Sequence, residues 1–267
     1  MLQRKPKKNT DAAPSGVSGG ARRDYFDIAG KTILITGASR GIGRALALGM
    51  RDAGAIIYGT GTRPESVVWM ADENISGHAI DVRDQTGTEE LIKDIVRKHR
   101  RLDCLINNAG ITDARLANWH DADSVEDVMS TNYKGTLNGS LAYFQHHRKH
   151  GGVIINVSSI LGVVGTEMSS VYCSSKGAIN QLTRCLALEW APYKFRVNAL
   201  CPGLVQTDFI KPITENPIVL KGAIERTPMK RIAQPEEMIG AAIFLASDAS
   251  SFMTGQTLIL DGGVTAQ

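Results

Sequence analysis

The sequence predicts an α/β fold in which a single domain is built on a doubly wound sheet of seven parallel strands. Short apolar runs, rich in β-branched residues, alternate with helical patterns along nearly the whole chain. Strands that are covered on both faces have such continuous apolar runs. A glycine-rich turn also joins the first run to the first helix. The 267 residues are enough for one full α/β core, and we find no internal linker or repeat.

The predicted strands are short and apolar, and they are separated by helices or irregular segments. They span residues 31–36, 55–60, 77–81, 102–106, 153–157, 196–200 and 257–260. The first predicted helix follows the glycine turn. The other predicted helices span residues 88–99, 124–147, 172–190 and 235–246. The last of these opens with a proline followed by two glutamates, which suits the first turn of a helix.

The composition and charge of the chain argue against membrane and nucleic-acid partners. The hydrophobic content of 43% and the charged content of 21% are typical of a globular protein. No apolar run approaches the ~18 residues of a membrane span, so we expect no membrane partner. Of the net charge of +3, residues 1–23 carry +5 and the remaining residues −2. A body without a basic face is not expected to bind nucleic acid.

The N-terminus differs from the rest of the chain. Residues 1–24 are rich in Lys, Gly, Ser and Pro, and we expect a disordered basic tail there. The folded domain is expected to span residues 25–267. The four cysteines form no Cys-x-x-Cys pair, which indicates free thiols in a reducing, cytoplasmic setting and no metal site.

The glycine-rich turn, residues 37–43, lies between the first predicted strand and the first helix. Glycines allow the backbone to approach a pyrophosphate, and the helix N-terminus offers unpaired N–H groups and a positive dipole. A turn of this kind in this position predicts a dinucleotide-binding sheet of the Rossmann type.

Tyr172 and Lys176 form a second candidate motif. They are four residues apart, which places both on one face of a helix. A nearby cation favours the phenolate and lowers the pKa of a phenol. With the hydroxyl of Ser159 beside them, these groups could move a proton on or off a carbonyl oxygen. Taken alone, this spacing also occurs by chance on amphipathic helices.

The candidate motifs all follow predicted strands, and the carboxyl ends of parallel strands meet at one edge of the sheet. In strand order they are the glycine turn, Asp81, residues 107–110, Ser159 and Pro202-Gly203. We therefore expect one crevice to contain all of them.

The sequence over residues 26–263 resembles that of the short-chain dehydrogenase/reductase family. The resemblance depends on Thr36-Gly-x-x-x-Gly-x-Gly43, Asp81, Asn107-Asn-Ala-Gly110, Asn132, Ser159, Tyr172-x-x-x-Lys176, Pro202-Gly203 and Thr207. Several motifs in the family's order exclude a chance match at Tyr172 and Lys176.

The resemblance implies roles for individual residues. Tyr172 would be the general acid/base, and Lys176 would lower its pKa and bind the nicotinamide ribose. Ser159 would hold the substrate oxygen, and Asn132 would interrupt its helix and help hold a proton-passing water. The resemblance implies that the pyrophosphate and adenosine are bound by Gly37, Ser39, Arg40, Gly41, Ile42 and Gly43, and the adenine by Asp81 and Val82. It implies further cofactor contacts from Asn108, Ala109 and Gly110. Toward the nicotinamide, the implied residues are Pro202, Gly203, Val205 and Thr207. Asn107 would pair strands.

Local roles stay open for two of these residues, because Asn132 could serve only as a local hydrogen-bonding group and Thr207 only as an N-cap. The choice between NAD(H) and NADP(H) depends on the segment after the second strand. It has Thr62 and Arg63 and no acid before Glu65, whereas an acid there usually marks NAD. With Arg40 beside the same pocket, we favour NADP(H); the alternative is that both arginines are merely solvated.

The substrate is less well predicted. Residues 207–229 are expected to form an apolar substrate lid, which suits an acyl chain better than a sugar. The overall resemblance is to 3-oxoacyl-acyl-carrier-protein reductases, which implies a 3-oxoacyl thioester substrate and a carrier-protein partner. However, the family's docking arginines near the crevice mouth are replaced by His150 and Tyr193.

Two alternatives remain. Residues 25–28 and 244–252 also resemble gluconate 5-dehydrogenase-like sugar reductases. A non-catalytic dinucleotide-binding regulator is the third reading, although such relatives tend to lose the tyrosine or the lysine. The family usually forms homotetramers through the helices of Asn132 and Tyr172 and the last strand, and we expect the same assembly here.

Overall fold

The structure of the chain is a computed structural model that describes residues 24–267. Its strands are β1 (Thr32–Ile35), β2 (Ile56–Gly61), β3 (Ser76–Ala79), β4 (Cys104–Asn107), β5 (Gly152–Val157), β6 (Phe195–Pro202) and β7 (Thr257–Leu260). All pair in parallel, in the order β3-β2-β1-β4-β5-β6-β7. The predicted seven-stranded, doubly wound sheet is therefore confirmed.

Helices cover both faces of the sheet. They are α1 (Gly41–Asp52), α2 (Trp69–Asp72), α3 (Gln85–His99), α4 (Ala122–Met129), α5 (Gly135–His147), α6 (Ser170–Trp190), α7 (Lys211–Thr214), α8 (Pro217–Arg226) and α9 (Ile239–Ala246). Among them no helix is both long enough and apolar enough to span a membrane. The predicted basic tail lies, apart from Asp24, outside the described residues.

The two-sided covering explains why the strand sequences are continuous apolar runs. In β1, Ile33 and Ile35 belong to a cluster that includes Leu245 of α9. Leu34, between them, packs instead into a second cluster with Ile92 of α3. Alternate residues of one strand therefore enter two separate cores.

The direction of winding reverses beside β1. Strands β2 and β3 lie on one side of it, and β4 to β7 lie on the other. At such a point the loops that leave the two central strands diverge and open a crevice at the carboxyl ends. The glycine turn after β1 and residues 108–111 after β4 lie at this crevice.

The helix predicted over residues 124–147 is interrupted at Asn132, as the family resemblance implied. Helix α4 ends at Met129, a π-helical segment spans Ser130–Lys134, and α5 then begins at Gly135. A π-helical segment changes the direction of the following side chains and often occurs at functional sites. Asn132 is at its centre and is fully buried.

A column of buried polar side chains crosses the middle of the sheet. Asn107 Nδ2 on β4 donates to Asn156 Oδ1 on β5 at 2.9 Å and to Ser140 Oγ at 3.0 Å. Asn156 Nδ2 then donates to Thr183 Oγ1 on α6 at 2.9 Å. Hence Asn107 lies where a strand-pairing residue is expected, and the column joins two strands to two helices.

Candidate active site

The glycine turn packs so closely against the end of β4 that side chains do not fit. Gly37 has a φ of +64°, and a Cβ added there would lie 2.7 Å from Ala109 Cα. A Cβ at Gly43 would lie 2.3 Å from Gly37 O and 2.4 Å from Asn108 Nδ2. The backbone is thereby left open to a ligand.

The first turn of α1 has unpaired backbone donors. Arg40 is its N-cap, and its side chain makes no capping hydrogen bond. The free N–H groups and the helix dipole form an anion-binding site. Together with the bare glycines, this arrangement fits the pyrophosphate of a dinucleotide.

Thr36 links this turn to the end of β4, a role that the sequence did not reveal. Its Oγ1 accepts from Asn108 N at 3.0 Å and from Ala109 N at 3.1 Å. In return, Asn108 Nδ2 donates to the carbonyl oxygens of Thr36 and Gly37, both at 3.0 Å. Asn108 and Ala109 are therefore held beside the glycine turn.

At the predicted adenine side, Asp81 is not a free carboxylate. Arg83 donates to it through Nε at 2.9 Å and Nη2 at 2.6 Å, and this hydrogen bonding lowers the pKa of Asp81. The neighbouring Val82 is buried against Gly135, where an added Cβ would lie 2.6 Å from it. Sequence reasoning did not identify Arg83 as a partner of this site.

The predicted phosphate-reading arginines are both exposed. Thr62 and Arg63 follow β2, and Arg63 Nε lies 3.4 Å from Glu65 Oε1. Arg40 Nη1 lies 3.7 Å from Asp208 Oδ2. Arg40 is thus paired with the segment after β6.

Tyr172 and Lys176 lie on α6 with their side chains buried. Lys176 Nζ is 5.7 Å from the centroid of the Tyr172 ring and donates to Val157 O at 2.9 Å. A Cβ added at Gly110 would lie 3.5 Å from the same nitrogen. The pair therefore faces the chain that leaves β4, on the crevice side of the sheet.

Burial controls the protonation of both groups. It raises the pKa of Tyr172 well above its usual value, and a hydrogen bond with Ser159 lowers this pKa only in part. Burial also lowers the pKa of Lys176 from 10.5 to about 8. The expected lowering of the Tyr172 pKa by Lys176 is not found in the protein chain alone, because loss of solvation dominates. At neutral pH Tyr172 is a protonated acid.

Ser159 is positioned by the short helix that follows it. It is the N-cap of a 3₁₀ helix, Ile160–Gly162, and its Oγ accepts from Leu161 N at 3.1 Å. The Ser159 side chain also lies beside Tyr172 and lowers the pKa of the phenol in part. Two hydroxyl groups are therefore brought together, as the sequence predicted.

Asn132 fastens the loop after β4 to α6. Its Oδ1 accepts from Ile111 N at 2.8 Å, and its Nδ2 donates to Ile111 O at 2.9 Å and to Ser175 Oγ at 3.0 Å. Ser175 immediately precedes Lys176. Asn132 is thus more than a local cap, and the predicted helix interruption at this residue is observed.

The residues after β6 close the other side of the crevice. A Cβ at Gly203, which follows Pro202, would lie 2.8 Å from Asp261 Cα, and Val205 is buried. Thr207 precedes a 3₁₀ helix, Asp208–Ile210, but makes no side-chain capping bond. Instead, its methyl group would lie 3.2 Å from a Cβ added at Gly41. Thr207 therefore contacts the glycine turn.

Phe209, just beyond Thr207, contacts the tyrosine. The centroids of the Phe209 and Tyr172 rings are 5.6 Å apart. The segment predicted as a lid thus begins with an aromatic ring packed on the predicted acid.

The predicted docking positions need a correction. His150 precedes β5 and Tyr193 precedes β6, so both lie at the amino ends of the strands. The crevice lies at the carboxyl ends, and within one chain these two residues are therefore not at its mouth. As for metals, residues 24–267 contain no group of three or more His, Cys, Asp or Glu that could hold an ion.

Comparison with known proteins gives consistent matches. A family model described as enoyl-(acyl carrier protein) reductase matches residues 37–265. The 3-oxoacyl-acyl-carrier-protein reductase of Thermotoga maritima is 34% identical over 243 residues, which are 88% of this chain and 98% of that protein. Gluconate 5-dehydrogenase of Gluconobacter oxydans is 34% identical over 253 residues, 91% of this chain and 97% of that protein.

A solved structure matches equally well. The gluconate 5-dehydrogenase of Burkholderia cenocepacia, in complex with NADP and tartrate, is 33% identical and has a TM-score of 0.87. The match covers 91% of this chain and 98% of that one. Relatives that act on different substrates are thus similar to this chain to the same degree.

A bare glycine turn at the switch point of a parallel sheet, facing a buried tyrosine and lysine, defines a dinucleotide-dependent oxidoreductase. The chain belongs to the short-chain dehydrogenase/reductase family. It is an oxidoreductase that acts on alcohol and ketone groups, and the family binds a nicotinamide dinucleotide.

Proposed function

We propose that the chain is an NADP(H)-dependent carbonyl reductase, which also runs as an alcohol dehydrogenase in reverse. The observation that supports this most is the buried Tyr172, which is protonated at neutral pH and lies beside Ser159, with Lys176 one helical turn away. A proton donor and a second hydroxyl at one point are what a carbonyl oxygen needs to become an alcohol.

The proposed reaction divides the work between cofactor and chain. A bound nicotinamide cofactor would supply the hydride for the carbonyl carbon. Ser159 and Tyr172 hold the carbonyl oxygen, and Tyr172 Oη transfers its proton to that oxygen as negative charge develops. Lys176 would hold the ribose of the cofactor, and Asn132 holds the Ile111 loop and the Ser175 hydroxyl in position. Protonation of the oxygen avoids an alkoxide product, which is strongly disfavoured near neutral pH.

The residues proposed to bind the cofactor surround the crevice. They are Gly37, Ser39, Arg40, Gly41, Ile42, Gly43, Thr62, Asp81, Val82, Asn108, Ala109, Gly110, Pro202, Gly203, Val205 and Thr207, together with Tyr172 and Lys176. For the adenosine ribose, the segment after β2 offers Thr62 and Arg63 and no acid before Glu65. A 2′-phosphate would meet hydroxyl and guanidinium donors there.

We expect the substitution Arg40→Ala to weaken NADPH binding about tenfold and to change NADH binding less than about twofold, because only NADPH has a 2′-phosphate for the guanidinium. Asp208→Asn is the matched variant: it removes the ion-pair partner of Arg40 and should leave NADPH binding equal or tighter. Fluorescence titration with both cofactors measures the effect. Equal losses for the two cofactors in Arg40→Ala would show that Arg40 does not recognise the phosphate.

For the substrate, the first candidate is a 3-oxoacyl thioester. Residues 207–229 are proposed to form the lid, and this segment exposes Phe209, Ile218, Val219 and Met229. Exposed apolar side chains beside a crevice favour an acyl chain. An acyl carrier protein is the corresponding partner. If His150 and Tyr193 contact it, they must serve the crevice of another subunit, given their position at the amino ends of the strands.

The second candidate is a sugar acid, as for the gluconate dehydrogenases among the relatives. A specific observation favours it: the loop between β4 and α4 contains an arginine, an aspartate and a buried histidine in contact with one another. Charged groups at that place are more useful for a polar substrate than for an acyl chain.

The proposed function is tested by measuring carbonyl reduction by the purified protein with NADPH and with NADH. The panel contains an acetoacetyl thioester, 5-ketogluconate and a neutral diketone. We expect reduction of at least one of them, with NADPH preferred. Tight binding of NADPH without reduction of any carbonyl would contradict the proposal.

We further propose a cytoplasmic homotetramer. Exposed apolar side chains are present on the helices and the strand through which the family assembles: Leu141 on α5, Leu188 on α6 and Ile259 on β7. Leu188, which is 80% exposed in the single chain, gains most from being covered by another subunit.

A further inference from the structure

A charged cluster lies on the loop that joins β4 to α4. Arg115 Nε donates to Asp113 Oδ1 at 2.9 Å, and His120 Nδ1 lies 3.9 Å from Asp113 Oδ2. We call these three residues the loop cluster. None of them has a role in the proton transfer or in the cofactor binding proposed above.

The loop cluster lies close to the active site along the chain. The loop starts at Gly110, where an added Cβ would lie 3.5 Å from Lys176 Nζ. The next residue, Ile111, is bonded to Asn132 through both of its backbone groups. Asp113 is two residues further on, and two residues span at most about 7 Å. The Cα atom of Asp113 therefore lies within about 7 Å of that of Ile111, the residue that Asn132 holds.

His120 has an unused hydrogen-bonding atom. Its side chain is only 3% exposed, and its Nε2 is buried without a partner in residues 24–267. Ser124 Oγ donates to Asp121 O at 3.0 Å, so it accepts the proton of His120 Nδ1 at 3.3 Å. In the neutral ring Nε2 is then a free acceptor, suited to a hydroxyl group. Buried polar atoms are seldom left unpaired unless a ligand or a water uses them.

Arg115 also has unused donors. Its Nε is bound to Asp113, which fixes the plane of the guanidinium, while its terminal NH₂ groups have no partner in the described part of the chain. The side chain is 38% exposed. A planar guanidinium with two free NH₂ groups matches the two oxygens of a carboxylate or phosphate.

We propose that the loop cluster is a specificity site that binds an anionic oxygen group of the carbonyl substrate through Arg115 and a neighbouring hydroxyl through His120 Nε2. This inference rests on the proposed function. The anion has two possible sources: the carboxylate of a sugar acid or the phosphate of a pantetheine thioester. Each of these also has a hydroxyl group close to its anion.

The test compares Arg115→Met with the matched surface variant Arg97→Met, whose arginine is 80% exposed and, within residues 24–267, pairs only with Asp94. The substrates are 5-ketogluconate, acetoacetyl-coenzyme A, its phosphate-free analogue acetoacetyl-N-acetylcysteamine, and 2,3-butanedione. We expect Arg115→Met to lower kcat/KM about tenfold or more for an anionic substrate, mainly through KM. Activity with the two uncharged substrates should stay within about twofold.

The four substrates separate the possible outcomes. A loss confined to 5-ketogluconate identifies a carboxylate, and a loss confined to the coenzyme A thioester identifies a phosphate. Equal losses on charged and uncharged substrates would mean that Arg115 only supports the loop, and no loss on any substrate would also overturn the proposal. His120→Phe, which keeps the ring volume, should raise KM for the same anionic substrate.

A binding measurement keeps the inference separate from the proposed function. With NADP present, sodium gluconate and 4′-phosphopantetheine are each tested for raising the melting temperature of the wild-type protein. We expect one of them to do so, and the shift should disappear in Arg115→Met but not in Arg97→Met. If the wild-type protein reduces no carbonyl, the proposed function fails, while this shift still supports or overturns the loop cluster.

Discussion

Tyr172→Phe should lower the rate of carbonyl reduction by about 10²–10⁴-fold, the usual contribution of a general acid. The phenyl ring keeps the packing against Phe209, but the proton that completes the alcohol is gone. Binding of NADPH should change less than about threefold, because the phenol acts mainly on the reacting oxygen. Steady-state reduction and a fluorescence titration of NADPH measure the two effects.

Tyr143→Phe is the matched control. Tyr143 is also buried, but its hydroxyl donates to Leu102 O in the core. Its loss should reduce stability by about 1 kcal/mol and leave the turnover of the folded enzyme unchanged. A Tyr172→Phe enzyme that keeps more than about a tenth of the wild-type rate would remove Tyr172 from the proposed role, since a general acid contributes at least ~10²-fold.

The second large effect is expected for Gly43→Ala. The added methyl group would lie 2.3 Å from Gly37 O, a backbone atom, and 2.4 Å from Asn108 Nδ2, which hydrogen bonds to the carbonyl oxygens of Thr36 and Gly37 hold in place. The glycine turn would have to move away from β4, and the bond from Asn108 Nδ2 to Gly37 O, now 3.0 Å, would be disturbed. We expect NADPH binding to weaken by about 100-fold or more, corresponding to about 3 kcal/mol.

Gly240→Ala separates this effect from the general cost of replacing a glycine. Gly240 lies in α9, and an added Cβ there meets nothing within 4 Å. Because alanine favours helix over glycine, the variant should be equally stable or more stable by about 0.5–1 kcal/mol. Isothermal titration with NADPH is the measurement for both variants. Unchanged binding in Gly43→Ala would show that the turn does not hold the cofactor.

Much of the fold could be predicted because the strands are buried on both faces. The bounds of β7 were predicted exactly as observed, and the other strands differ by one or two residues at their ends. The glycine turn and the tyrosine–lysine pair were also brought to one crevice, as the strand ends require. In both cases the signal is local: apolar runs for the strands and fixed spacings for the motifs.

The interruption at Ser130–Lys134 could not be predicted from periodicity. Its apolar pattern continues on either side, and its cause is tertiary: the Asn132 side chain is engaged by Ile111 and Ser175. Likewise, the pKa of Tyr172 depends on how completely the folded chain removes water from the phenol, a quantity that helical spacing does not contain.

Side-chain pairing in loops was the least predictable feature. The pairing of Arg40 with Asp208 and that of Arg115 with Asp113 follow no period. His120 looked like any polar residue before a helix until its buried, unpartnered Nε2 was seen. These contacts are decided by where the loops lie over the folded body.

The column of buried polar side chains across the sheet limits which substitutions the centre of the sheet can accept. Asn107 Nδ2, Asn156 and Thr183 are joined by hydrogen bonds in a buried place, and Asn107 Oδ1 has no partner within residues 24–267. An apolar replacement of one member leaves the amide or hydroxyl of its neighbour without a hydrogen-bond partner, which reduces stability by about 1–3 kcal/mol. Substitutions here are tolerated only in concert, so the centre of the sheet should change in pairs or triples while the surrounding aliphatic residues exchange singly.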